Sequence, residues 1–116
     1  MDNMSYSKEL NTFSFEFNKI EFEYISNETK NRIIISKLYY SLLHYYFTKY
    51  PHISIAGSGQ KHTRILNEIS NNEEQRLFRK LKSFREWADY KPLENSPFQI
   101  NLAYLFHQVY RRINSQ

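Results

Sequence analysis

The sequence predicts an all-α protein, a bundle of four or five helices running up and down. Three observations predict it. Apolar side chains recur at helical spacing along most of the chain. Helix-start signals stand before three of these stretches, at Ser26 or Asn27, at Asn71 or Asn72, and at Ser96. Only two Gly and three Pro occur, too few for a turn-rich β protein.

With 116 residues the chain fits one domain, spanning 1–116. Folding at that size buries roughly 65% of the unfolded surface, enough for a single core. There is no cysteine, so neither disulfides nor thiolate–metal sites support it, and a reducing cytoplasm is the expected compartment. Residues Met1 to Ser5 lack the basic and apolar regions of a signal peptide. No apolar run approaches the roughly 20 residues that span a bilayer, so no membrane association is expected. Ten Tyr and nine Phe are many for this length. Rings pack a small core efficiently, and tyrosines also serve for stacking on bases or lining an interface. The net charge of +4 permits an anionic partner without demanding one.

The first element, near 14–25, reads as a helix from Phe13, Phe17, Ile20 and Tyr24. A hairpin turning at Asn18-Lys19 is the alternative, but Asn-Lys is a weak turn and Glu16 would oppose Glu21. The second helix, 28–50, runs to the stop at Pro51. Ile34, Ile35, Leu38, Tyr39, Leu42, Leu43, Tyr46 and Phe47 make it apolar almost all round, as in a central bundle helix. One line on it is polar: Lys37, Ser41, His44 and Thr48. Such a line must reach water, a partner subunit or a buried network. Residues 51–60 read as a loop. A short helix, 61–70, offers Ile65, Leu66 and Ile69. The next, 73–90, carries Glu73 and Glu74 in its first turn and the apolar line Leu77, Leu81, Phe84 and Ala88. The last, 97–113, has Ser96 as cap, Pro97 in the first position and Gln99 completing a capping box. Phe98, Leu102, Leu105, Phe106, Val109 and Ile113 form its apolar face.

Common catalytic signatures are absent. There is no phosphate-binding glycine loop, and His44, His52, His62 and His107 lack metal-ligand spacing, so neither metal nor cofactor is expected. Two clusters remain. One is Lys37, Ser41 and His44. The other is Phe84-Arg85-Glu86-Trp87-Ala88-Asp89-Tyr90, where Arg85 and Asp89 flank the buried seam beside Phe78 and Lys82. An i,i+4 ion pair accounts for Arg85 and Asp89 structurally. The functional alternative is a guanidinium open to a phosphate.

Ser36-Lys37-Leu38-Tyr39-Tyr40-Ser41-Leu42-Leu43-His44 resembles the second-helix motif S-R-A-Y-Y-A-x-F-H of small prokaryotic HEPN (higher eukaryotes and prokaryotes nucleotide-binding) proteins. Gly57-Ser58-Gly59-Gln60-Lys61-His62 resembles their glycine-containing loop before a helix-opening histidine. The segment from Leu81 to Pro92 is similar to their L-x-x-x-R-x-x-A-D-Y-x-P stretch, and the three matches keep the family's order over residues 32–92. The resemblance implies a helical bundle that dimerises. It also implies a metal-independent ribonuclease of toxin–antitoxin or phage-defence systems, with a site built on Arg and a His shortly after it. Arg85 matches the arginine. The histidine is absent, since 86–92 read Glu-Trp-Ala-Asp-Tyr-Lys-Pro.

The expectation is therefore an RNA- or nucleotide-binding homodimer. Arg85 is the cationic stabiliser, His62, His44 and Tyr90 are acid–base candidates, and Lys37, Lys61, Lys82, Arg85 and Asp89 are binding candidates. The rival is a non-catalytic module that pairs with a nucleotidyltransferase or effector protein. The missing histidine favours the rival, whereas Arg76, Arg79, Lys80 and Lys82 favour nucleic acid unless they are an ordinary solvated face.

Overall fold

The central element is the long second helix. A computed structural model of the chain describes residues 1–54, 60–96 and 99–114, and these contain six helices and no strand. Helix α1 is Asn3–Asn18, α2 Asn27–Lys49, α3 Pro51–Ser54, α4 Lys61–Glu68, α5 Asn72–Tyr90 and α6 Leu102–Ile113. Ser26 caps α2 from an extended conformation, its Oγ accepting from the Thr29 amide at 3.1 Å. Pro51 excludes α-helical geometry at Tyr50, and α2 stops there. Ile34, Ile35, Leu38, Leu42 and Tyr46 are fully buried, and α1, α3, α5 and α6 all pack against α2. The predicted all-α class and the central position of this helix both hold. Among the described residues, no helix is long and apolar enough to cross a membrane.

The first element differs from the expectation of 14–25. Asp2 caps α1 by accepting from the Ser5 amide at 2.7 Å, so the helix begins at Asn3 and ends at Asn18. Its buried face is Ser7, Leu10, Asn11 and Ser14. The aromatic line is largely outside: Phe13 is 43% exposed, Phe15 51% and Tyr24 91%. Small side chains explain the inversion. Ser7 Oγ donates to the Ser41 carbonyl at 2.6 Å, and Ser41 Oγ donates to the Ser7 carbonyl at 2.7 Å. Two backbones this close leave no room for a ring between them. Lys30 then closes the turn after α1, donating to the carbonyls of Asn18 and Ile20 at 2.7 and 2.6 Å.

The polar line of α2 is largely consumed by the same packing. Ser41 is fully buried against α1, and His44 Nδ1 lies 2.9 Å from Asn3 Oδ1. Thr48 Oγ1 donates to the His44 carbonyl at 3.2 Å. Of the three destinations open to such a line, most of it reaches a network inside the chain.

Two further boundaries move. The stretch expected as a loop opens with the single turn α3, because Pro51 suits a first helical position. Gly57-Ser58-Gly59 lies outside the described residues. The last helix starts at Leu102, not at 97. Its cap is Asn101, whose Oδ1 accepts from the Tyr104 amide at 3.0 Å. Gln99 precedes the helix, and Pro97 and Phe98 lie outside the described residues.

What holds the preceding connection is Arg32, a buried cation on α2. Its Nη1 donates to the carbonyls of Trp87 and Lys91 at 2.8 and 3.0 Å. Its Nη2 donates to those of Pro92 and Glu94 at 3.3 and 3.0 Å. The guanidinium also stacks 4.0 Å from the Trp87 ring centroid. One side chain thus closes the C-terminus of α5 and shapes the chain leaving it. Asn71 caps the other end of α5, accepting from the Glu74 amide at 3.0 Å. Arg112 of α6 meets Glu74 there at 3.1 Å.

Candidate nucleic-acid interface

The stretch of α5 from Arg79 to Tyr90 presents a line of polar groups beside its buried face. Leu77, Phe78, Leu81, Phe84 and Trp87 face the core, which places Arg79, Lys82, Arg85 and Asp89 along one flank. Tyr39 and Tyr40 of α2 and His62 of α4 meet that flank.

Arg85 is held mostly by rings. Its guanidinium carbon lies 5.2 Å from the Tyr39 centroid, 5.5 Å from Tyr40 and 5.4 Å from Tyr90. Its Nε stands 3.9 Å from Asp89 Oδ2, too far for a hydrogen bond, and has no hydrogen-bond partner among the described residues. Asp89 Oδ2 accepts instead from Ser36 Oγ at 3.3 Å. Burial works against the Arg85 charge, but the phenol oxygens of Tyr40, Tyr39 and Tyr90 more than offset it, and its pKa is raised. The site therefore carries a permanent cation in a mainly aromatic setting.

His62 stacks on Phe78 with centroids 4.2 Å apart. Its Nδ1 lies 3.3 Å from the Tyr39 hydroxyl. Burial, then the charges of Lys82, Arg79 and Arg85, push its pKa down to about 4. The ring is neutral at pH 7. Burial pushes the Tyr39 phenol up to about 12, so it keeps its proton. A protonated phenol beside Nδ1 donates to it and leaves the ring proton on Nε2.

The other candidates divide. Tyr90 joins Arg85 and is 67% exposed. Lys82 flanks the site and pairs with Glu86 at 3.6 Å. Lys37 lines an adjoining depression of about 320 Å³ with Arg32, Ser36 and Asp89. His44 is placed differently, between Tyr6 and Phe47 in edge-to-face contact at 4.7 and 5.3 Å. Burial and then Lys61 lower its pKa. The Lys61 ammonium sits 5.3 Å from the Phe47 centroid, on the His44 side of α4. Arg85, Asp89, Tyr90, His62 and Lys82 thus come together, whereas His44 and Lys61 form a neighbouring pair.

The basic residues of α5 also split. Arg79 and Lys82 act on His62, while Arg76 and Lys80 line a groove with Tyr104 and Arg111 of α6. Sequence reasoning treated Tyr39 as packing and gave Tyr40 no separate role. Yet Tyr39 touches both Arg85 and His62, and the Tyr39-Tyr40 pair three residues after Ser36 was the available signal. Among the described residues, no group of three or more His, Cys, Asp or Glu could hold a metal ion. In comparisons with known proteins, no family model, curated protein or solved structure matches this chain.

Proposed function

We propose that this chain is a HEPN-like RNA- or nucleotide-binding protein, and that a phosphate sits against Arg85 with its base on the exposed Tyr90 ring. The observation that supports this reading is the field at His62, where Lys82, Arg79 and Arg85 all disfavour a further proton. A cluster that repels a proton attracts a phosphate. Arg supplies a planar fork and Tyr a π-face, the two elements of sequence-tolerant single-strand binding. Fluorescence anisotropy with a short single-stranded RNA tests it. Arg85→Ala removes charged hydrogen bonds worth about 1.5–3 kcal/mol, a loss of roughly ten- to a hundredfold in affinity. Arg85→Lys rescues poorly, and the melting temperature stays near that of the parent protein. Unchanged affinity with a clearly lowered melting temperature makes Arg85 a structural residue. The chain is then better explained as a non-catalytic module for a nucleotidyltransferase or effector partner.

One observation favours a second reading, metal-independent RNA cleavage. Tyr39 contacts both the Arg85 guanidinium and His62, so the missing sequence histidine has a spatial substitute. A neutral imidazole can accept the 2′-hydroxyl proton while Arg85 stabilises the phosphorane charge. Cleavage in EDTA that His62→Gln abolishes supports this reading, and cleavage unaffected by that change removes it. The homodimer and the cytoplasmic toxin–antitoxin or phage-defence setting belong to the same proposal. The exposed rings of Phe13 and Phe15 support the homodimer, and light scattering across a concentration range tests it.

A further inference from the structure

The α1–α6 groove lies on a different pair of helices from the Arg85 cluster and has its own polar anchor. It encloses about 600 Å³, within the size range of small-molecule sites. Phe15 of α1 and Phe106, Tyr110 and Ala103 of α6 form its apolar walls, with Phe15 and Phe106 edge to face at 5.9 Å. Asn11 also lines it. This side chain is only 7% exposed, and its amide nitrogen has no hydrogen-bond partner among the described residues. Leaving a buried donor unpaired costs about 1–3 kcal/mol, a penalty that a leucine there would avoid. At the rim, Lys19 and Glu16 bring opposite charges, so the mouth selects for neither sign.

We infer that this groove is a binding site for a small, neutral, flat heteroaromatic molecule whose edge carries a hydrogen-bond acceptor beside a donor. Aromatic walls favour a planar ring over a branched aliphatic one. Asn11 offers a donor and an acceptor on one short amide, the pattern that pairs with an adenine-like edge. The ligand acceptor satisfies the orphaned nitrogen, and the opposed rim charges leave a neutral ring favoured over a charged one. The inference is independent of the Arg85 site.

The test is a titration of the full chain with adenine, followed by amide NMR, with cyclohexanol as an apolar, non-planar comparison. Adenine at millimolar concentration shifts resonances of α1 and α6 around Asn11 and Phe106, and cyclohexanol leaves them in place. Asn11→Leu weakens adenine at least tenfold without lowering the melting temperature, because it removes an unpaired polar group from a buried position. Ala103→Phe, an exposed position on the opposite wall, blocks the groove while leaving Asn11 untouched and also abolishes the shifts. Absence of shifts with adenine overturns the inference. So does an Asn11→Leu protein that melts lower and binds adenine as before, since Asn11 is then structural. Shifts produced by a short oligoadenylate and not by adenine overturn it in favour of an RNA contact.

Discussion

Replacing Arg32 is the most informative perturbation of the fold, since a single side chain organises the exit from α5. Arg32→Ala deletes four charged hydrogen bonds to carbonyls and a stacking contact with Trp87. Taken at about 1.5–3 kcal/mol each, the hydrogen bonds alone sum to more than a domain this size can lose. The structure shows why the real loss is smaller. The Trp87 carbonyl also accepts from the Lys91 amide, the Lys91 carbonyl from the Glu94 amide, and the Glu94 carbonyl from Trp87 Nε1. Only the longest bond, to Pro92, has no such second partner among the described residues. Arg32 is itself a buried charge, so its desolvation also disappears with it. A net loss of about 3 kcal/mol follows, which at this chain length lowers the melting temperature by roughly 12 °C. Urea unfolding of Arg32→Ala, Arg32→Met and Arg32→Lys measures it. Methionine restores stem packing on Trp87 without the fork, and lysine restores charge without reaching all the carbonyls, so both recover only part of the loss. If alanine and methionine each cost less than about 1 kcal/mol, the connection is held by something else.

Two further outcomes follow from the core and the histidines. Ser41→Ala costs about 1 kcal/mol by removing half of the reciprocal serine bridge, whereas Ser41→Leu costs about 3 kcal/mol or more because α1 must move away. Equal costs in urea unfolding would show that α1 and α2 are not in close apposition. His62 and His44 both bind protons less readily than an ordinary imidazole, His62 with a pKa of about 4. Below the ordinary value near 6.5 the unfolded chain takes up protons that the folded chain refuses. Stability is complete above that pH and declines as pH falls toward 4. The melting temperature at pH 5 is lower than at pH 7, and His62→Gln flattens the dependence. A melting temperature that rises on acidification contradicts this.

The parts of the fold legible in the sequence are those where hydrophobicity and burial coincide. Helices α2 and α5 fall where caps and apolar lines place them, and Leu77, Leu81 and Phe84 pack as their spacing predicts. Helix α1 was obscured because its buried face is built from serines and an asparagine, which a periodicity reading assigns to solvent. The start of α6 misled for another reason. Ser96-Pro97 carries a strong local signal, but Arg32 draws the carbonyls up to Glu94 onto α2, and Asn101 supplies the cap. No local pattern marks Arg32, whose partners lie 55 to 62 residues away. At the site, Arg85 with Asp89 and Tyr90 was readable from one helix. The approach of His62 and Tyr39 was not, because it joins three helices.

The central claim is that the Arg85 cluster is a phosphate site with His62 inside its field. Following the His62 Cε1 proton by NMR through a pH titration, with and without saturating adenosine monophosphate, tests it most directly. The free protein should titrate near 4. Bound phosphate should move that value upward by adding negative charge beside the ring, and Arg85→Ala should remove the ligand-induced change at the same concentration. A free value near that of an ordinary histidine, or a value that stays fixed while the nucleotide is demonstrably bound, would contradict it.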